Sequence, residues 1–125
     1  MGNRSFSVLQ YRMCVPIAVK EEKYSAEIEK LIVELFLLEA ERMGVTYKSH
    51  SFEKDCVVFT FCANTRLELA KFICAYKTLS SRQIRKQYEF SWVSTYFVCS
   101  LGDSDAVDEH IQNFIERQDK QRKKG

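Results

Sequence analysis

Two stretches of this 125-residue chain carry residue types and spacings suited to chemistry. The first is basic: Arg82, Arg85 and Lys86 stand at i, i+3 and i+4, so on a helix they share one face and form a stripe able to follow a phosphate backbone. Lys77, Ser80 and Ser81 precede them, and Lys, Arg and Ser are the types that grip phosphate oxygens. Charge alone also fits a plain solvated helix face. The second stretch is EKDCVVFTF, residues 53 to 61. Read as a strand, it puts Cys56, Val58 and Thr60 on one face and Val57, Phe59 and Phe61 on the other, because side chains alternate. The second set is a core face; the first is a mixed one that needs a reason.

Other reactive types are scattered. Cys14, Cys56, Cys62, Cys74 and Cys99 are odd in number, form no CxxC pair and sit in apolar segments, which reads as reduced, mostly buried thiols and not as a disulfide framework or a zinc site. His50 and His110 are isolated. Tyr11, Tyr24, Tyr47, Tyr76, Tyr88 and Tyr96 read as core and sheet residues.

Composition limits what such residues belong to. Hydrophobic residues make up 46% and charged residues 29%, with one Pro and four Gly, as in a globular domain and not in a disordered or fibrous chain. The longest apolar run, Leu31 to Leu38, is broken by Glu34 and falls short of the roughly 20 residues a membrane span needs. The stretch MGNRSFSVLQYRM lacks the apolar centre of a signal peptide, so a cytoplasmic location is expected. Net charge is only +2, yet Lys71, Lys77, Arg82, Arg85 and Lys86 gather in one segment and Lys120 to Lys124 form a basic tail, a distribution suited to a polyanion. One domain over 1–119 followed by a basic tail at 120–125 is the expected organisation.

The elements that must position these residues follow from periodicity and caps. Phe6 to Val19 is a strand with Pro16 near its end. Ser25 caps a helix carrying Ile28, Leu31, Ile32, Leu35 and Leu38 inward until Gly44. Val45 to Ser51 and Cys56 to Cys62 are strands joined by the charged turn Phe52 to Asp55. Thr65 and Glu68 form a capping box for a helix with Leu69, Phe72, Ile73, Tyr76 and Leu79 inward, running to about Gln87. Trp92 to Leu101 is a fourth strand, and Gly102, Asp103 and Ser104 open a last helix to about Gln118. The order βαββαβ plus a helix predicts an α+β, ferredoxin-like (split βαβ) antiparallel sheet with helices on one face and a C-terminal helix.

Four segments in that order, SVLQYRM, KFICAYKTLSSRQIRKQY, SWVSTYFVCSLG and NFIERQ, together resemble the IS200/IS605-type transposases, the single-tyrosine enzymes of the HUH group, over nearly the whole chain. The resemblance implies a dimer that recognises DNA hairpins and cleaves single-stranded DNA. In that family the strand after a charged turn reads Asp-His-hydrophobic-His, its histidines binding a divalent cation, and a tyrosine on the last helix is the nucleophile, with a metal-binding glutamine four residues on. By that register Asp55 is kept, Cys56 and Val58 stand at the histidine positions, Phe114 stands at the tyrosine position, and Gln118 is kept. A benzene ring has no attacking oxygen and Val58 no lone pair, while a thiolate at Cys56 is a soft ligand ill suited to Mg²⁺. Losing both histidines as well as the tyrosine points to natural inactivation rather than to an engineered nucleophile mutant. A site rebuilt from His50, Cys56 and Gln118, or a tyrosine moved elsewhere, is disfavoured.

The expectation is therefore a catalytically inactive family member, without metal or other cofactor, that binds a DNA or RNA hairpin as a homodimer. Lys77, Ser81, Arg82, Arg85 and Lys86 would carry binding, with Arg12 and Lys54 as secondary candidates. A single-stranded DNA nickase with a displaced site and a protein-interaction scaffold are the alternatives.

Overall fold

Pairing in the sheet settles which side chains share a face. A computed structural model describes residues 8–64, 67–100 and 113–117. It contains β1 (Val8–Pro16), α1 (Ala26–Met43), β2 (Thr46–Glu53), β3 (Cys56–Asn64), α2 (Leu69–Ile84) and β4 (Phe97–Ser100), with a 3₁₀ turn at Glu21–Lys23. Residues 113–117 are helical. The sheet order is β2-β3-β1-β4 with every pair antiparallel, the arrangement of the split βαβ plan.

One sheet face is built from Met13 and Val15 of β1 and Val57, Phe59 and Phe61 of β3, all buried, and α1 and α2 cover it. Phe36 of α1 lies flat on Phe59, with ring centroids 3.9 Å apart, and Phe72 and Tyr76 of α2 meet Phe36 edge-on. The Tyr76 hydroxyl donates to the Ile32 carbonyl at 2.8 Å and ties the helices together. The opposite face takes Arg12 and Cys14 of β1 with Cys56, Val58 and Thr60 of β3, since Arg12 pairs with Thr60 and Cys14 with Val58. The alternation expected of β3 is therefore the one observed.

Local signals explain most of the boundaries. Ser25 Oγ accepts from the Ile28 N–H at 3.4 Å, and Gly44 closes α1 in the left-handed conformation at φ 73°. Lys54 and Asp55, both at positive φ, make a two-residue hairpin between β2 and β3, tighter than the expected Phe52 to Asp55 turn.

Several expectations shift. Strand β1 ends at Pro16, which has no N–H to extend the ladder, and the chain beyond it pairs instead with the 91–93 segment: Ala18 N–H donates to Ser91 C=O and Val93 N–H to Pro16 C=O. The inward stripe of α1 is Ile28, Ile32, Phe36 and Ala40, leaving Leu38 57% exposed. Helix α2 opens after Glu68, whose side chain makes no cap, and Thr65 lies outside the described residues. Its inward face ends in Ser80 and Ile84, not Leu79, and it stops at Ile84, where Lys86 and Gln87 form tighter turns through N–H bonds to Gln83 and Ile84 carbonyls. Trp92 is not in β4; it makes a single bridge with Ile17. All five cysteines are free, but only Cys14 and Cys56 are buried, and Cys74 is exposed. Phe6, Leu101 to Asp103, His110, Gln118 and the 120–125 tail lie outside the described residues. Among the described residues no helix is long and apolar enough to cross a membrane.

Candidate nucleic-acid interface

Helix α2 starts beyond the Asn64 end of β3 and runs back, so its C-terminal turn lies at the sheet end that carries the Lys54–Asp55 hairpin and the Ile17–Trp92 bridge. The backbone bond from Ile17 N–H to Asp55 C=O, 2.7 Å, joins these pieces. Between the last two turns of α2 and the 91–94 segment lies an open cleft of about 560 Å³. Lys77, Thr78, Ser81, Arg82 and Arg85 line it from the helix, and Ser91, Trp92 and Ser94 from the facing segment.

Four of the sequence-predicted binding residues thus share one concavity: Lys77, Ser81, Arg82 and Arg85. Arg82 and Arg85 are exposed, and the Arg85 N–H still bonds to the Ser81 carbonyl at 3.0 Å, so the i, i+3 relation holds. Lys86 does not keep the i+4 position, because its N–H turns to Gln83; it lies exposed beside the cleft and outside its lining. Lys54 stands on the hairpin at the same sheet end. Arg12 points to the opposite face, where its Nε donates to Thr60 Oγ1 at 3.3 Å, and it is not part of this group.

Two residues take roles other than the expected one. Lys77 Nζ donates to the carbonyls of Val93 (2.8 Å) and Ser94 (3.3 Å) and stands 5.7 Å from the Tyr96 ring centre. Desolvation lowers its pKa from the ordinary lysine value. Lys77 therefore pins the far wall of the cleft and does not stand free for a phosphate. Ser80 is fully buried, donates to the Tyr76 carbonyl at 2.7 Å and accepts from Trp92 Nε1 at 2.8 Å. It cannot grip a ligand; it fixes the indole. Trp92 is the residue that sequence reasoning missed as a site component, having placed it in a strand. A signal existed: the chain's one Trp stands between Ser91 and Ser94, in a polar stretch too irregular for a strand interior.

The Cys56 and Val58 face has the opposite character. Cys14, Cys56, Val58 and Ile115 form a buried cluster, with Phe97, Cys99 and Phe114 packed on it. The 113–117 helix thus covers the positions that the resemblance gives to the histidines, and Phe114, at the position given to the tyrosine, lies 5.7 Å from Phe97 between ring centres. A hydrogen bond with Cys56, then burial, pushes the Cys14 thiol far above its ordinary range, so it stays protonated. As a donor set for a hard divalent cation the group does not fit: Val58 offers no donor, and the two thiols engage each other. Among the described residues no three His, Cys, Asp or Glu side chains converge as metal ligands. His50 cannot join Cys56, because it pairs with Phe59 on the helix-covered face and its Nδ1 lies 2.6 Å from the Tyr47 hydroxyl.

Comparison with known proteins agrees with this architecture. The sequence model of the family described as "Transposase IS200 like" matches residues 5–118. No curated protein matches the chain. Among solved structures, the chain is similar to a candidate transposase from Deinococcus radiodurans R1, with a TM-score of 0.78 at 17% identity over 94% of this chain and 97% of that one. It is also similar to a REP-associated tyrosine transposase bound to a REP hairpin, with a TM-score of 0.63 at 4% identity over 88% of this chain and 67% of that one. At these identities the two structures speak to the fold, and the family match spans almost the whole chain. The chain belongs to the IS200-like transposase family.

Proposed function

We propose that this member of the family grips a DNA or RNA hairpin as a homodimer and does not cut it. The observation that supports the reading most is the apolar closure of the Cys14, Cys56, Val58 and Ile115 cluster while the Arg82 and Arg85 cleft stays open. Phe114 has no phenolic oxygen with which to form a phosphotyrosine ester, and among the described residues the side chains clustered with it are apolar groups and cysteines, which make no hard cation site. Arg82 and Arg85, with Lys86 and Lys54 nearby, supply phosphate contacts whose strength falls with salt as counterions are released. A structural relative is bound to a REP hairpin, which makes a stem-loop the first ligand to test. Among the described residues strand β4 ends the sheet order, an edge position at which a second copy can add.

The test is incubation of the purified protein with stem-loop DNA and RNA in Mg²⁺ or Mn²⁺, read on native and denaturing gels. The reading expects a salt-sensitive shift with both protomers in the complex and no covalent adduct. An adduct that survives denaturation would establish a displaced nucleophile and overturn inactivity. No shift at low salt, together with salt-independent association with a protein, would make the chain a scaffold.

A further inference from the structure

Helices α1 and α2 lie side by side on the sheet, and the side that each turns away from it is patterned by charge. On α1 the exposed row is Glu27, Glu34 and Glu41, one residue in every seven, with Leu38 57% exposed among them. On α2 it is Lys71, Thr78 and Arg85 at the same spacing, with Arg82 beside them, all exposed. Among the described residues none of the three acidic side chains has an ion-pair partner, and Lys71 pairs with Glu68 at 3.0 Å, a surface contact that costs little to exchange. Between the rows lies an open groove of about 590 Å³ lined by Leu38, Glu39, Glu41, Arg42 and Leu79. Its buried carboxylate is satisfied from within, since Glu39, 3% exposed, accepts from Arg42 Nε at 3.0 Å. What the groove offers a partner is the apolar surface of Leu38 and Leu79 between a negative and a positive edge.

Chain direction makes this face self-complementary. Helix α1 runs from the Pro16 end of β1 to the Thr46 end of β2, and α2 runs back from the Asn64 end of β3, so the helices are antiparallel. Glu27 therefore stands at the same end as Arg82 and Arg85, and Glu41 at the same end as Lys71. A two-fold axis along the groove lays α1 of one copy over α2 of the other with these ends matched, and each acidic row meets a basic row of equal length, about 21 Å. Two helices side by side present on the order of several hundred Å², the scale of one partner's share of a specific interface.

We propose that a second copy of this chain docks on this face when no nucleic acid is bound, its Glu27, Glu34 and Glu41 row lying along the Lys71, Arg82 and Arg85 row, and that a hairpin displaces it. Arg82 and Arg85 cannot serve a partner's carboxylates and a phosphate backbone at once. The face is separate from the β4 edge, so displacement removes this contact and leaves an edge-paired dimer intact. Displacement rests on the hairpin reading; the pairing itself does not.

Charge exchange between copies tests the contact. The full chain is followed by sedimentation velocity over a concentration series at low and high salt, together with two variants, Glu34→Lys with Glu41→Lys and Lys71→Glu with Arg82→Glu. All four positions except Glu34 flank or line the groove ends on exposed helix surface, and the substitutions touch no buried side chain. The wild type is expected to associate with increasing concentration and to lose that association at high salt. Each variant alone should associate about 10-fold more weakly or less, because like charges then face each other, and an equal mixture of the two should recover the wild-type association, because each row again meets its opposite. Stem-loop DNA should release the wild-type pair and should bind Glu34→Lys with Glu41→Lys without that release step. One unchanging mass for the wild type, variants that associate as it does, or a mixture that fails to recover would overturn the pairing and leave hairpin binding standing. A stem-loop that binds the wild type without releasing the pair would overturn displacement. A stem-loop that binds neither the wild type nor the acidic-row variant at low salt would overturn the hairpin reading, while recovery on mixing would still establish the pairing.

Discussion

The Cys56 patch and the Arg82 cleft occupy opposite sides of one sheet-and-helix framework, and they have been treated by opposite rules. In the patch, every side chain within the cluster is an apolar group or a cysteine, and a helix lies over it. In the cleft, cationic and hydroxyl side chains remain outside, held apart by a pinned wall. The physical reason for the contrast is the cost of burial. A buried ligand set without its cation leaves donors with no partner, which costs several kcal/mol, so a site no longer used for metal is better filled with small apolar groups. Exposed arginines carry no such cost, so on the proposed reading a binding face can stay open where a catalytic one closes.

The comparison breaks most visibly if the closed patch turns out to have room. Cys56→His combined with Val58→His puts two imidazoles where buried small groups stand, and about 3 kcal/mol of destabilisation is expected from overpacking and unmet hydrogen bonds. Thermal denaturation should fall by 10 °C or so, at about 4 °C per kcal/mol. An unchanged midpoint with new Mn²⁺ binding would mean that the metal site persists. At the cleft, Arg82→Glu with Arg85→Glu should lower hairpin affinity about 100-fold and flatten the salt dependence by about two contacts, measured by anisotropy across a salt series. Equal affinity would remove this face from the account.

Smaller effects sharpen the picture. Ser80→Ala leaves the Trp92 N–H without its acceptor, so a loss of about 1–2 kcal/mol in denaturant unfolding and a red-shifted Trp92 emission are expected; an unshifted spectrum would show that the indole is held without Ser80. The smallest concerns pH. The Cys14 thiol is raised by its bond with Cys56 and by burial, so the native state keeps a proton that the unfolded chain releases above 9.0. Its stabilising contribution is complete below that pH and is lost as pH rises, by about 1 kcal/mol between pH 9 and 10. Cys14→Ser should lessen that fall in alkaline denaturation, and an identical slope would place the titration elsewhere.

How much of this could be read from the sequence depended on whether the cause was local. The two faces of β3 followed from strict alternation of Cys56, Val58 and Thr60 with Val57, Phe59 and Phe61, and α1 from a Ser25 cap and a Gly44 stop. The inward face of α1 was misjudged because Leu31 to Leu38 is apolar nearly all round, so two helical stripes fit and only packing against Phe59 and Phe61 selects Phe36. The basic face at Arg82 and Arg85 was legible from spacing. What that spacing could not reveal is that Lys77 spends its ammonium on two carbonyls 16 and 17 residues on, or that Ser80 turns inward to Trp92. Arg12 looked like another phosphate contact because a strand residue's face is fixed only by its neighbours, and here the neighbour is Thr60. That Cys56, Val58 and Phe114 stand at the family's histidine and tyrosine positions was assigned by resemblance, and the cluster around Ile115 gives those residues a shared place in the fold.

The central claim, a transposase framework kept for holding a hairpin, is tested most directly by crosslinking the protein to nucleic acid in its native cell and sequencing what co-purifies. The account predicts a recurrent stem-loop and ends that show no protein-linked cut. An empty or random pool, or a set of fragments ending at one covalently attached position, would contradict it.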